Sequence, residues 1–174
     1  MKKMVVSYSL TGNNAALAAS LAAALGADHV SITEPKPRTM RTIVVDLLFG
    51  RTPKIVMSPE KVDAYDCVFF VGPVWMGQIA TPLRACFKQA RQTTGRYVFI
   101  SISGGADGPN PKLAGELKKR LGKDPDALID LHIADLLPPE PKPTRDDTSA
   151  YRLTADDVKH LTDKVVAALD GIVH

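Results

Sequence analysis

Ser9, Thr11, Asn13 and Asn14 bring four neutral hydrogen-bond donors into six residues, with Leu10 and Gly12 between them. An apolar run, Met4-Val5-Val6, precedes this stretch, and an alanine- and leucine-rich run, Ala15 to Leu25, follows it. A hydroxyl-rich turn from a strand into a helix is a place to hold a phosphate. The first helical turn has N–H groups without intrahelical acceptors, and the helix dipole favours an anion there. Ser9 and Thr11 offer hydroxyls, Asn13 and Asn14 amides, and Gly12 lets the backbone approach closely. No lysine lies in the turn, so the chemistry suits a terminal monophosphate held by neutral donors. The same residue types also serve ordinary strand-to-helix turns, with Asn13 as a plain N-cap.

Two further loops carry residues of this kind. One is Gly72-Pro73-Val74-Trp75-Met76-Gly77-Gln78, which contains the single tryptophan of the chain. Pro, Trp and Met together suit an apolar wall beside a flat ligand better than a solvated loop. The other is Ser103-Gly104-Gly105-Ala106-Asp107-Gly108, where the paired glycines let backbone N–H groups reach a ligand's rim. Asp107 is near enough to this loop to be weighed as an acid or base, and a turn former is the favoured reading. The four histidines, His29, His132, His160 and His174, lie apart in sequence, and no side chain stands out as a catalytic acid, base or metal ligand.

These loops must be positioned by the elements around them. Strand-like and helix-like patterns alternate along the 174 residues, as in a parallel sheet covered on both faces. Strands are expected at Met4–Tyr8, His29–Ile32, Cys67–Val71, Tyr97–Ile102 and Leu128–Ile133. The Cys67–Val71 run is apolar throughout, as a central strand should be. Helices are expected from Asn13 to Leu25, from a Thr39 cap to Gly50, from Thr81-Pro82, from Asn110-Pro111 to Gly122, and from a Thr154 cap onward. Pro35 and Pro37 break the chain, Arg51 to Asp63 reads as a connector, and the Pro- and charge-rich stretch Leu137 to Ser149 reads as a surface loop. The expected fold is a single doubly wound α/β domain over 1–174, with a five-stranded parallel sheet of order 2-1-3-4-5. Ligands of such sheets bind beyond the carboxyl ends of the strands where the order reverses, here between strands one and three.

Composition narrows the function. Hydrophobic residues make up 45% and charged residues 24%, as in a soluble globule. No apolar run is long enough to span a bilayer, and no cleavable leader is expected after Met1-Lys2-Lys3, which suggests a cytoplasmic protein. Cys67 and Cys86 have no metal spacing and read as buried free thiols. A net charge of +3 is far from the density of a dedicated nucleic-acid binder. A dinucleotide fingerprint and a Walker pattern are both missing. The basic residues Lys36, Arg38, Arg41, Arg51 and Lys54 read as a solvated face or as an attractor of an anionic substrate or partner. Leu47-Leu48-Phe49 reads as core or as a contact between copies.

The three loops together carry a resemblance. Ser9-x-Thr11-Gly12-Asn13 resembles the phosphate loop of flavodoxins and flavodoxin-like FMN-dependent oxidoreductases. Gly72-Pro73-Val74-Trp75, followed by Thr81-Pro82-Leu83 and Phe87, is similar to that family's second flavin loop, and Ser103-Gly104-Gly105 to its third. The resemblance implies FMN, with its phosphate on Ser9, Leu10, Thr11, Gly12, Asn13 and Asn14. It implies a flavin ring between Pro73, Val74, Trp75, Met76 and Gly77 on one side and Ser103, Gly104 and Gly105 on the other. Asn14 stands where the family has Thr or Ser. The third loop lacks the aromatic residue of the electron-carrying flavodoxins, and the chain lacks their acidity. These departures from the family pattern lead to the expectation of a less reducing flavin, in an oxidoreductase passing electrons from NAD(P)H to a small acceptor such as a quinone. An electron carrier for a redox protein partner and a non-redox binding module remain open beside it.

Overall fold

The computed structural model describes residues 1–36, 38–57, 62–91 and 95–172; Pro37, part of the 51–63 connector and His174 lie outside the described residues. The strands are β1 (Lys3–Ser7), β2 (Asp28–Ser31), β3 (Cys67–Val71), β4 (Val74–Trp75), β5 (Gln78–Ile79), β6 (Arg96–Ser103) and β7 (Ala127–His132). The helices are α1 (Asn13–Leu25), α2 (Met40–Leu48), α3 (Thr81–Ala90), α4 (Leu113–Leu121), α5 (Arg145–Ala150) and α6 (Ala155–Ala168), with short 3₁₀ turns at Val62–Ala64 and Ile133–Leu136.

Five strands form one parallel sheet in the order β2-β1-β3-β6-β7, which is 2-1-3-4-5 counted within that sheet. Alternate residues of each strand face opposite sides. Val5, Phe69, Val71, Val98 and Ile100 pack with Leu17 and Leu21 of α1 and Leu161 and Val165 of α6. Met4, Val6, Val68, Phe70 and Phe99 pack with Leu83 and Phe87 of α3 and Leu113 and Leu117 of α4. Both thiols are buried, and burial raises their pKa, Cys67 to about 11 and Cys86 to about 12. They are inert core groups rather than nucleophiles.

The order reverses at β1, so the chain leaves β1 and β3 toward helices on opposite faces, and a crevice opens between them. Three features of this region depart from the sequence expectations. The stretch after β3 is a hairpin, β4–β5, rather than an irregular loop. Its two turn residues, Met76 (φ 51°) and Gly77 (φ 74°), both have positive φ, which matches the twist of the flanking strands. Asn110-Pro111 does not open α4, which starts at Leu113 behind Lys112. The Asn110 amide instead donates to Asp130 Oδ2 at 2.9 Å. The stretch read as a loop up to Ser149 contains α5, capped by Thr144, whose hydroxyl accepts from Asp147 N while Asp147 accepts from Thr144 N.

Asn14 joins α1 to the sheet. Its Nδ2 donates to the Ile102 carbonyl at 2.9 Å, and its Oδ1 accepts from Ile102 N at 3.1 Å, both buried. Asn14→Ala orphans both backbone groups and is expected to cost about 2–4 kcal/mol. Urea unfolding checks this; a loss below about 1 kcal/mol would mean that water replaces the amide.

Candidate functional site

The β1–α1 loop, the β4–β5 hairpin and the loop after β6 meet at one edge of the sheet. Between them lies a cleft of about 1160 Å³. The sequence-derived residues Leu10, Thr11, Asn13, Asn14, Pro73, Val74, Trp75, Met76, Gly77, Ser103, Gly104 and Gly105 all line it. Ser9 and Gly12 do not line it and instead shape the turn, with Gly12 N donating to Ser9 Oγ at 3.0 Å. Gly12 is the α1 N-cap at φ 95°, a conformation that favours glycine.

The N-cap, Gly12, has no side chain to cap α1, and no other side chain among the described residues caps it. Its first intrahelical bond runs from Ala16 N to the Gly12 carbonyl at 2.9 Å, so the N–H groups of Asn13, Asn14 and Ala15 have no acceptor within the helix. The expected role of the two asparagine amides needs correction here. The Asn13 amide donates to the Tyr151 carbonyl at 3.0 Å and accepts from Leu153 N at 3.1 Å, and the Asn14 amide is committed to Ile102. Both side chains are buried and serve the fold. The donors that this loop presents are backbone N–H groups and the exposed Thr11 hydroxyl.

The hairpin is fixed from two helices. Glu116 of α4 accepts from Ile79 N at 2.8 Å and pairs with Arg84 of α3 at 3.1 Å. Arg84 also donates to Gln78 Oε1 at 2.7 Å. Trp75 is backed by Tyr8, edge-on at 5.8 Å between ring centroids, and by the Arg38 guanidinium 5.7 Å from its ring. Arg38 is itself buried between Glu34 and Asp46, and Tyr8 donates to Glu34 at 2.9 Å. Burial and the Glu34 carboxylate push the Tyr8 hydroxyl well above its ordinary range, so it remains a neutral donor. Arg38 thus leaves the set of solvated basic residues and becomes a support for the tryptophan.

The third loop closes against β7 and α5. Asp130 accepts from Ser101 Oγ at 2.5 Å and from Asn110, and its Oδ2 lies 3.2 Å from His132 Nε2. His132 lies under Gly105 (φ 75°), where an added Cβ would stand 2.3 Å from the His132 Cβ. An added Cβ on Gly104 would stand 2.9 Å from Thr148 Oγ1. Asp107 is gripped by Arg145 through two contacts of 2.9 and 3.0 Å, which ties the loop to α5. Ile43 and Val44 of α2, and Arg145, Thr148 and Ser149 around α5, are lining residues that the sequence reading missed. Thr144-x-x-Asp147 was the available signal for α5, in the manner of a capping box. Among the described residues, no group of His, Cys, Asp and Glu could hold a metal.

The cleft therefore joins a helix N-terminus with open donors, an aromatic shelf and a glycine rim with backbone N–H groups. Among the described residues, Asp107 is the one lining carboxylate, and it is paired. Such a site can take a planar ring with a phosphate tail.

No protein-family model matches the chain, and no curated protein matches it. Solved structures do resemble it. A flavoprotein from Lactobacillus acidophilus, crystallised in complex with FMN, is 18% identical with a TM-score of 0.65, over 74% of this chain and 92% of that one. An inferred flavoprotein from Bacteroides eggerthii is 22% identical with a TM-score of 0.65, over 95% of this chain and 98% of that one. A flavodoxin from the domain Archaea is 12% identical with a TM-score of 0.54, over the whole of both chains. The chain has the flavodoxin-like fold. Its strand order and the reversal at β1 are those of that fold.

The glycine rim of this flavodoxin-like cleft is testable by a mutant cycle. Gly104→Ala is expected to destabilise the protein by about 1–2 kcal/mol through the clash with Thr148 Oγ1. The loss should shrink by at least half when measured in a Thr148→Ala background. Thermal or urea denaturation of the four proteins gives the answer; additive losses would mean that α5 does not pack on this glycine.

Proposed function

We propose that the chain binds FMN in this cleft and works as an oxidoreductase, passing electrons from NAD(P)H to a small acceptor such as a quinone. The observation that carries the proposal is the convergence of the uncapped α1 N-terminus and Trp75 on one cleft. The donor set fits the cofactor. A monophosphate would take the backbone N–H groups of the first α1 turn and the Thr11 hydroxyl, and the dipole there favours its charge. The isoalloxazine ring would lie between the hairpin at Pro73 to Gly77 and the rim at Ser103 to Gly105. FMN would supply the redox chemistry, accepting a hydride from a nicotinamide and releasing electrons to the acceptor.

The chain's own residues would do the rest. Glu116 and Arg84 hold the hairpin, Tyr8 and Arg38 hold the indole, and Asp130 holds the third loop. The paired state of Asp107 leaves no uncompensated carboxylate among the described lining residues, which supports a flavin less reducing than one in an acidic surround. The reading is also supported by the fold neighbour crystallised with FMN.

The test is to load the purified protein with FMN, remove the excess and record its absorbance. The protein is expected to keep the flavin bands and to reduce quinones with NAD(P)H faster than the same amount of free FMN. Retained flavin without nicotinamide turnover would favour the electron-carrier reading. A folded protein that holds no FMN would overturn the redox function.

A further inference from the structure

Beyond the part of α2 that lines the cleft, the helix carries an apolar outer edge. Ile43 and Leu47 are buried, while Val44, Leu48 and Phe49 face solvent, Leu48 and Phe49 with 74% and 72% of their surface exposed. Met76, also 74% exposed, stands on the hairpin turn. Val44 and Met76 both line the cleft, so this apolar edge runs along its mouth. Exposed apolar residues grouped in this way mark an interaction surface.

Among the described residues, the charges beside the edge that have no ion-pair partner are of one sign. Glu34 and Asp46 are spent on Arg38, with side chains only 11% and 16% exposed. Lys36, Arg41, Arg51 and Lys54 are exposed, and none has an ion pair among the described residues. The Arg51 guanidinium stacks on Phe49 at 5.6 Å, which joins the cationic and apolar parts of the edge. Protruding leucine and phenylalanine tips ringed by Lys and Arg are what an anionic lipid interface recognises: the tips enter the headgroup region and the cations meet the lipid charge. We propose that this edge docks the protein on an anionic lipid surface, with the mouth of the cleft beside the bilayer. The docking does not depend on bound flavin, so its failure and the failure of the FMN reading are separate results.

The experiment is flotation of the full chain with phosphatidylcholine vesicles and with a phosphatidylcholine–phosphatidylserine mixture. Binding is expected to the mixture only, and to weaken as salt is added. Leu48→Ser with Phe49→Ser, and separately Arg51→Glu with Lys54→Glu, should each lower the affinity by about tenfold or more. Lys119→Glu with Lys164→Glu makes the same change in net charge on α4 and α6 and should leave the affinity within about twofold of the parent. All these positions are exposed, and circular dichroism checks that the variants are folded. Three outcomes would each overturn the proposal. One is no binding to the anionic vesicles. Another is an equal loss in the distant charge variant. The third is a protein that ignores vesicles but forms a dimer, or holds an acidic protein, through Leu48 and Phe49.

Discussion

Asn14 ties the first helix to the sheet: its amide spans the backbone of Ile102, so two buried hydrogen bonds fix the α1 N-terminus to the end of β6. Asn13 makes the matching link to the segment at 151–153. With both amides spent on the fold, the helix start is held rigidly while its own N–H groups remain uncapped. An anion held there would need no cation, because the donors are fixed dipoles that require little reorganisation when a ligand arrives.

The second wall of the cleft is held in the same spirit. Trp75 sits on a two-residue hairpin that could not form a stable unit alone. Glu116 and Arg84 anchor the hairpin from two helices, and the Tyr8–Glu34–Arg38–Asp46 cluster backs the indole. Gly72 makes the approach feasible, since a Cβ there would stand 2.3 Å from Leu83 Cδ1. The third wall rests on Asp130, which gathers Ser101, Asn110 and His132 beneath the glycine rim.

Much of this was legible in the sequence, for physical reasons. Cys67–Val71 is apolar at every position because it is buried on both faces. Asn13–Leu25 ends at Gly26 because the chain leaves that helix in a left-handed conformation. Less legible were features that depend on tertiary partners. Asn13 and Asn14 are donors by type, and only their packing against Tyr151 and Ile102 turns them inward. Arg38 reads as a surface charge until the fold brings Glu34 and Asp46 to it. The α5 helix is hidden among prolines and charges, its Thr144 cap being the sole local sign. Met76-Gly77 makes a hairpin turn without the Asn or Asp that usually announces one.

The most direct test of the central claim uses the single tryptophan. Because Trp75 lines the cleft, its fluorescence reports a planar ring arriving beside it. Titration with FMN should quench the emission saturably, and riboflavin, which lacks the phosphate, should bind at least about tenfold more weakly. Equal affinity for the two would contradict the role of the α1 N-terminus. Unquenched emission at saturating FMN would contradict the site itself.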